Sequence, residues 1–223
     1  MKPAVATWLL LPLLLTACPG KQRSGPQPPT ELDVPGEVIQ EKPLPAAQAL
    51  QADTSAAGAF LRWTDALRAA DTAAVNAFIS PRHGLWVLEQ PGALPLLTRV
   101  TDTRQLRRSH QSSSLFSLSS ELMPCLRPEP VDTLPTATCD GAPGNEAGFR
   151  RTGCLLGPAR PAALKPFWDH ATLRGGTAGQ GRAALAGSRY AVLQTATGYR
   201  FFWAREAGQW RLVLLDLRVP CSA

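Results

Sequence analysis

The stretch SRYAVLQTATGYRFFWAREAGQWRLVLLDLRV, residues 188–219, decides the fold of this chain. It holds three apolar runs, and the pairs Thr197-Gly198 and Ala207-Gly208 separate them. Short runs rich in aromatic and aliphatic residues, interrupted by glycine turns, are typical of neighbouring antiparallel strands. The sequence therefore predicts a three-stranded antiparallel meander at the C-terminal end of the domain.

Two amphipathic helices are predicted at the other end of the domain. Phe60, Trp63 and Leu67 recur at intervals of three and four residues, which places them on one face of a helix. Asp71-Thr72 can cap a second short helix, AAVNAFIS at 73–80, which the Ser80-Pro81 pair ends. The predicted core consists of the in-phase apolar positions of these helices and strands, namely Phe60, Leu67, Val75, Phe78, Ile79, Val192, Phe201, Trp210, Leu212 and Leu214.

Between these ends the pattern is less regular. GLWVLEQPG at 84–92 indicates a strand and a turn, and LPLLTRV at 94–100 continues as an apolar run. Residues 161–173 indicate a helical turn that Pro166 interrupts, and RGGTAGQGR at 174–182 indicates a glycine-rich loop without a phosphate-binding pattern. The remaining stretch, about 101–160, is predicted to be an irregular excursion.

Helices followed by a meander indicate the α+β class. The segments FLRWTDALRAADTAAVNAFIS (60–80) and YRFFWAREAGQWRLVLLDL (199–217) resemble the NTF2-like (cystatin-like) superfamily. That resemblance implies a cone of N-terminal helices packed on a curved antiparallel sheet; the alternative is a small β-barrel with helical additions. The segment FISPRHGLWVLEQPGA (78–93) and the final Cys-Ser-Ala are similar to parts of uncharacterised envelope lipoproteins.

The N-terminus has the form of an export signal. Lys2 precedes an apolar run, residues 4–15, which is shorter than the ~20 residues that cross a bilayer. The sequence LTAC at 15–18 resembles the lipobox of bacterial lipoproteins, in which the cysteine thiol takes a diacylglycerol. This resemblance implies a signal peptide at 1–17 and lipidation, including palmitate, at Cys18. An ordinary secretory signal with a chance cysteine is the alternative.

The segment after the anchor is predicted to be a tether. Residues 18–52 contain seven prolines and no aromatic residue, so they bury too little apolar surface to fold. A single α+β domain is then predicted at 53–223. Pro19, rather than Asp, follows the lipidated cysteine; by resemblance to Gram-negative lipoproteins this implies the outer membrane, with the lipid anchor as membrane partner.

Net charge does not identify a partner. The chain carries a formal charge of +6, but only Arg104, Arg107 and Arg108 form a tight basic group. Nucleic-acid binding needs a clustered basic surface, and an exported protein rarely meets nucleic acid. No nucleic-acid partner is therefore predicted.

Four cysteines remain after Cys18, an even number for an oxidising compartment. Two disulfides are predicted, Cys125–Cys154 and Cys139–Cys221, with pairing of neighbours (Cys125–Cys139 and Cys154–Cys221) as the alternative. The cysteines form no C-x-x-C pair and the three histidines have no ligand spacing, so no metal site or cofactor is predicted.

No catalytic constellation emerges from the sequence. The polar residues that an NTF2-like cone could use as acid or base are Asp65, His83, His170, Tyr190 and Tyr199. Aromatic side chains can line a pocket or fill a core, and the candidates for pocket lining are Trp63, Trp86, Trp168, Tyr190 and Trp203. The preferred hypothesis is an envelope module that binds a small ligand, a glycan or a protein without catalysis. The alternatives are a hydrolase or isomerase with a carboxylate or histidine in the cone, and a structural accessory of envelope assembly.

Overall fold

The structure is a computed structural model that describes residues 55–109, 112–122, 125–140 and 148–221. The predicted signal peptide (1–17), Cys18 and the tether (18–52) lie outside the described residues.

Five α-helices and eight strands form this part of the chain. The helices are α1 (Ala56–Arg68), α2 (Thr72–Asn76), α3 (Leu118–Glu121), α4 (Lys165–His170) and α5 (Ala178–Ala186). Single 3-10 turns lie at Thr103–Gln105, Leu115–Ser117 and Pro161–Leu164. The strands are β1 (Leu85–Glu89), β2 (Leu96–Val100), β3 (Glu129–Pro130), β4 (Cys154–Pro158), β5 (Thr172–Arg174), β6 (Ser188–Gln194), β7 (Arg200–Glu206) and β8 (Gln209–Asp216).

The predicted meander is confirmed. Strands β6, β7 and β8 are consecutive antiparallel neighbours. Gly198 and Gly208 adopt φ angles of +80° and +81° at the two connections, a backbone conformation that glycine reaches without strain. At Gly198 a side chain would also collide with Pro220. Both glycines therefore act as the turn residues that the sequence indicated.

All eight strands join one sheet, in the order β3-β4-β6-β7-β8-β1-β2-β5. Strands β1 and β2 pair as an antiparallel hairpin, which attaches to the meander through a parallel pairing of β1 with β8. The short strands β3 and β5 end the sheet. Within the described residues the sheet is thus open, unlike the barrel that was the alternative prediction. The α+β class is confirmed.

Two apolar layers cover the two faces of the sheet, because successive strand residues point to opposite sides. Phe201 and Trp203 pack with α1 on one face, whereas Phe202 and Ala204 pack on the other. The layer on the α1 face includes Phe60, Trp63, Leu67, Val75, Ile79, Leu115, Leu118 and Leu212. The opposite layer includes Trp86, Leu164, Trp168, Ala184, Leu185 and Leu214.

Helix α1 begins where the sequence offers a cap. The Ser55 hydroxyl accepts a hydrogen bond from the Gly58 amide at 3.1 Å, satisfying one of the free amides of the first turn. The face that carries Phe60, Trp63 and Leu67 is buried, as the periodicity predicts. This helix is consequently the main cover of its sheet face.

Helix α2 is shorter than predicted. It ends at Asn76, and Ile79 instead forms a bridge with Leu212 beside the sheet. As a result Phe78 is only partly buried, not fully as its helical phase implied. Two other predicted core residues also differ: Trp210 is half-buried, and Leu214 belongs to the opposite layer.

The glycine-rich segment 174–182 was wrongly predicted to be a loop throughout. Helix α5 begins within it, at Ala178. Thr177 accepts from the Gln180 amide, and the Gln180 side chain accepts from the Thr177 amide, a reciprocal capping box. The sequence contains this Thr-x-x-Gln motif, but the neighbouring glycines favoured the prediction of a loop. The excursion is likewise shorter than predicted, since β4 occupies 154–158.

Candidate functional site

The structure contains two disulfide bonds, Cys125–Cys154 and Cys139–Cys221, which is the favoured pairing. In each pair the Cα atoms are 5.2 Å apart. The first bond joins the excursion to the start of β4, and the second joins it to the chain end after β8. The irregular segment is therefore linked covalently to β4 and to the chain end after β8.

Four of the five aromatic residues proposed for pocket lining belong to the core. Trp63, Trp86 and Trp203 are fully buried, and Trp168 is nearly so. Trp63 contacts Phe201 at a ring-centroid distance of 5.5 Å, and Trp86 meets Trp168 edge-on at 5.2 Å. Within the described part of the chain these rings fill the space between the helices and the sheet instead of lining an open cone.

Tyr190, the fifth of these residues, is 40% exposed and lines a surface groove. We call this the aromatic groove; it encloses about 760 Å³. Its lining residues are Ser55, Ala56, Pro130, Val131, Asp132, Leu156, Pro158, Tyr190, Arg205 and Trp210.

Three adjacent strands build the base of the aromatic groove. Tyr190 lies on β6, Arg205 on β7, and Trp210 on β8 directly opposite Arg205. The Tyr190 and Trp210 rings meet at 5.7 Å and 68°, and the Arg205 guanidinium lies 5.9 Å from the Trp210 ring centre. The groove thus presents two aromatic rings at an angle, a cation beside them and the Asp132 carboxylate. Trp210 was predicted to lie in the core because strand alternation does not distinguish a half-buried position from a fully buried one.

A second pocket, here the polar pocket, lies at the other end of the meander and has a volume of about 510 Å³. It is lined by Glu89, Gln90, Pro91, Arg108, Ser109, Tyr199, Leu217, Arg218 and Val219. Because β1 and β8 run parallel, with Leu88 opposite Asp216, their carboxyl ends meet there. This pairing brings Glu89 and Arg218 to one place although they are far apart in sequence.

Arg108 reaches into this pocket from the excursion. Its guanidinium donates to Glu121 at 2.5 Å, to Ser117 at 3.0 Å and to the Tyr199 hydroxyl at 3.2 Å. Burial alone would lower the pKa of Arg108, but Glu121 and Tyr199 outweigh it and raise that pKa. Burial, reinforced by the Glu121 hydrogen bond, raises the pKa of Tyr199. Tyr199 is consequently a neutral phenol at physiological pH, next to the Arg108–Glu121 ion pair.

Glu89 is a buried carboxylate at the end of β1. It accepts from the Ser109 amide at 3.0 and 3.1 Å and from the Ser109 hydroxyl at 3.1 Å. Arg218 binds Asp216 through both oxygens, at 2.8 and 2.7 Å. Most polar groups of this pocket therefore hold the excursion and the chain end against the sheet. Neither Glu89 nor Arg108 was singled out as a site residue from sequence, because they come together only through tertiary contacts: the excursion that carries Arg108 is bonded to Glu89 through Ser109.

The remaining polar candidates are scattered. Asp65 pairs with Arg68 on the exposed side of α1 at 2.7 Å. His83 lies in the turn before β1, and His170 is exposed at the end of α4. The described part of the chain brings neither histidine to Tyr199, and it contains no cluster of ligating side chains that could hold a metal ion.

No family model, curated protein or solved structure matches this chain. Across the described ranges, no helix is long and apolar enough to cross a membrane.

Proposed function

We propose that this protein is a lipid-anchored envelope module that binds a glycan in the aromatic groove. One observation carries the proposal: an exposed Tyr190 and a half-buried Trp210 meet in an open groove of about 760 Å³. Aromatic side chains that form a contiguous exposed patch often mark a site for a ligand or a partner.

The chemistry of the aromatic groove suits a sugar. The carbon-bound hydrogens of a pyranose ring are apolar and stack on aromatic rings, while its hydroxyl groups need hydrogen-bonding partners. Tyr190 and Trp210 supply the apolar contacts, and Arg205 and Asp132 supply a donor and an acceptor at the rim. A purely apolar ligand would leave these two charged groups unused.

The anchor and the superfamily are parts of the same proposal. The LTAC sequence supports lipidation at Cys18, with the outer membrane of a Gram-negative bacterium as the location and residues 18–52 as the tether. Packing of the two N-terminal helices on one face of the meander supports an NTF2-like relationship. Under this proposal aromatic side chains fill the interior of the cone, and the ligand binds instead in the aromatic groove on β6, β7 and β8.

The test is a titration of the full-length chain, purified in detergent, with the tetrasaccharide of N-acetylglucosamine. We expect Tyr190→Ala to weaken binding at least about tenfold, which corresponds to ~1.4 kcal/mol. Tyr190→Phe retains the ring and should stay within a few-fold of the wild type. Leu94→Ala is the matched control, since Leu94 is an exposed apolar residue outside the groove.

Three results would contradict the proposal. The wild-type chain could fail to bind the tetrasaccharide, or Tyr190→Ala could bind as tightly as the wild type. Equal weakening by Leu94→Ala would instead indicate nonspecific adhesion to apolar surface.

A hydrolase is the second candidate, because buried Glu89 and Tyr199 line one pocket. Incubation of the same tetrasaccharide with the wild type should then release shorter sugars, and Glu89→Gln should stop the release without loss of binding. Absence of shorter products from the wild type removes glycoside hydrolysis from consideration.

A further inference from the structure

Arg200 is a half-buried cation at the start of a central strand of the sheet. It begins β7, directly opposite Asp216 on β8, and its side chain lies on the sheet face that carries Phe202. The guanidinium could be expected to pair with Asp216, the carboxylate across the strand. Among the described residues, however, the Arg200 side chain forms no hydrogen bond and no ion pair.

Asp216 is instead bound by Arg218. Arg218 donates to its Oδ1 from Nε at 2.8 Å and to its Oδ2 from Nη2 at 2.7 Å. The Arg218 guanidinium is itself held over the Phe167 ring at 3.6 Å. This bidentate pair is rigid, so Asp216 attracts Arg200 only from a distance.

The electrostatic consequence is visible at Arg200. Burial lowers its pKa, Asp216 partly opposes this effect, and the like charge of Arg218 adds to it. A guanidinium retains its proton under all physiological conditions. Arg200 is half-buried, and among the described residues none accepts a hydrogen bond from its five N–H donors, which leaves them available to the acceptor atoms of a ligand.

A small pocket adjoins this guanidinium. The Arg200 pocket has a volume of about 80 Å³ and is lined by Leu134, Pro135, Thr136, Pro158, Arg160, Ala163, Leu164, Ala191, Arg200 and Phe202. Seven of these residues are apolar. A second cation, Arg160, stands at the exposed side, where it donates to Thr133 at 3.2 Å.

We propose that the Arg200 pocket binds a small monocarboxylate with a short apolar tail. The carboxylate accepts two parallel hydrogen bonds from the planar guanidinium, and the tail contacts Ala191, Leu164 and Phe202. A volume of this size holds only a few water molecules, so the ligand has roughly six non-hydrogen atoms or fewer. Butyrate fits this description.

The pocket lining favours this class over other anions. A phosphate would bring a second charge and additional oxygens into a mainly apolar enclosure, where unpaired acceptors are costly. Chloride would satisfy the charge but leave the apolar walls without contacts. We therefore expect the Arg200 pocket to bind butyrate more tightly than phosphate or chloride.

The experiment is a titration of the full-length chain, purified in detergent, with sodium butyrate, sodium phosphate and sodium chloride at constant ionic strength. Binding is followed by the Nε–Hε signals of arginine in nitrogen-15 NMR spectra. We expect butyrate to shift one arginine signal with saturation, and phosphate and chloride to bind at least about tenfold more weakly. Arg200→Met should abolish the saturable shift. Arg189→Met is the matched control, because Arg189 is exposed on the neighbouring strand β6.

A second variant covers the case in which Arg200→Met does not fold. Ala163→Leu adds bulk at an exposed lining position and leaves Arg200 in place, so it should reduce butyrate affinity at least about tenfold while the fold is retained. The proposal is overturned if butyrate does not bind the wild type, if Arg200→Met or Ala163→Leu binds it normally, or if phosphate binds as tightly as butyrate.

Discussion

Replacement of Gly181 by alanine tests how α5 packs on the sheet. On an exposed helix, glycine to alanine stabilises a protein by about 0.4–1 kcal/mol, because alanine loses less backbone entropy on folding. Gly181 is buried, and a Cβ atom there would stand well inside van der Waals contact with Cζ3 and Cη2 of Trp168. Trp168 cannot retreat easily, since it is buried and packs edge-on against Trp86 at 5.2 Å.

The steric term should therefore outweigh the helix term at Gly181. Overpacking a well-filled core costs about 1–3 kcal/mol, so Gly181→Ala should be destabilising by about 1 kcal/mol after the helix gain is subtracted. The same helix provides its own control. A Cβ atom on Gly179 meets only the Thr177 hydroxyl, at 3.9 Å, so Gly179→Ala should be stabilising.

The assay is urea unfolding of both variants with the disulfides intact, followed by tryptophan fluorescence. The two free energies should differ by about 1.5–2 kcal/mol, or roughly 1 M in the urea midpoint for a slope near 2 kcal/mol/M. Equal stabilisation by both substitutions would show that Trp168 does not lie against Gly181. In that case the packing of α4 and α5 derived above would be wrong.

Four further outcomes are expected from other parts of the chain. Cys18→Ala should abolish labelling by radioactive palmitate and release the protein from membranes; persistent lipid labelling would refute the lipoprotein prediction. Phe78→Ala should cost about 1–3 kcal/mol, less than the ~3–5 kcal/mol of a fully buried phenylalanine, because Phe78 is half-buried; a thermal-unfolding shift as large as that of Phe60→Ala would contradict this. Loss of the Cys139–Cys221 bond, which spans 82 residues, should cost roughly 4 kcal/mol in the chain-entropy model, and non-reducing peptide mapping should recover this pair and no Cys125–Cys139 peptide. The pKa of Tyr199 is raised in the folded state, so the free energy of unfolding should decrease as pH rises above the ordinary tyrosine value near 10. Tyr199→Phe should lose less stability in that range, and an equal loss in this variant would exclude Tyr199 as the cause.

Much of the local structure follows from the sequence alone. The meander, the face of α1 and the strand and turn within residues 84–92 were predictable because alternation, helical spacing and glycine turns act within a few residues. The two disulfide bonds also agree with the pairing that was favoured from the sequence. The signal peptide and the tether are also predicted from local composition, and they remain predictions because they lie outside the described residues.

Tertiary structure decided the sites. Trp203 was predicted to line a pocket and Trp210 to lie in the core. The packing of α1 instead buries Trp203, whereas Trp210 is half-buried at the start of β8 and lines the aromatic groove. Glu89 and Arg218 meet because β1 lies parallel to β8, a pairing between segments more than a hundred residues apart. Among the described residues the Arg200 side chain has no hydrogen-bond partner, and Asp216, which lies opposite it, is bound by Arg218; no spacing in the sequence indicates this arrangement. Contacts between residues so far apart in sequence depend on loop closure and on the packing of the whole chain. The local sequence therefore determined the helices and strands, whereas the tertiary structure determined which side chains share a pocket.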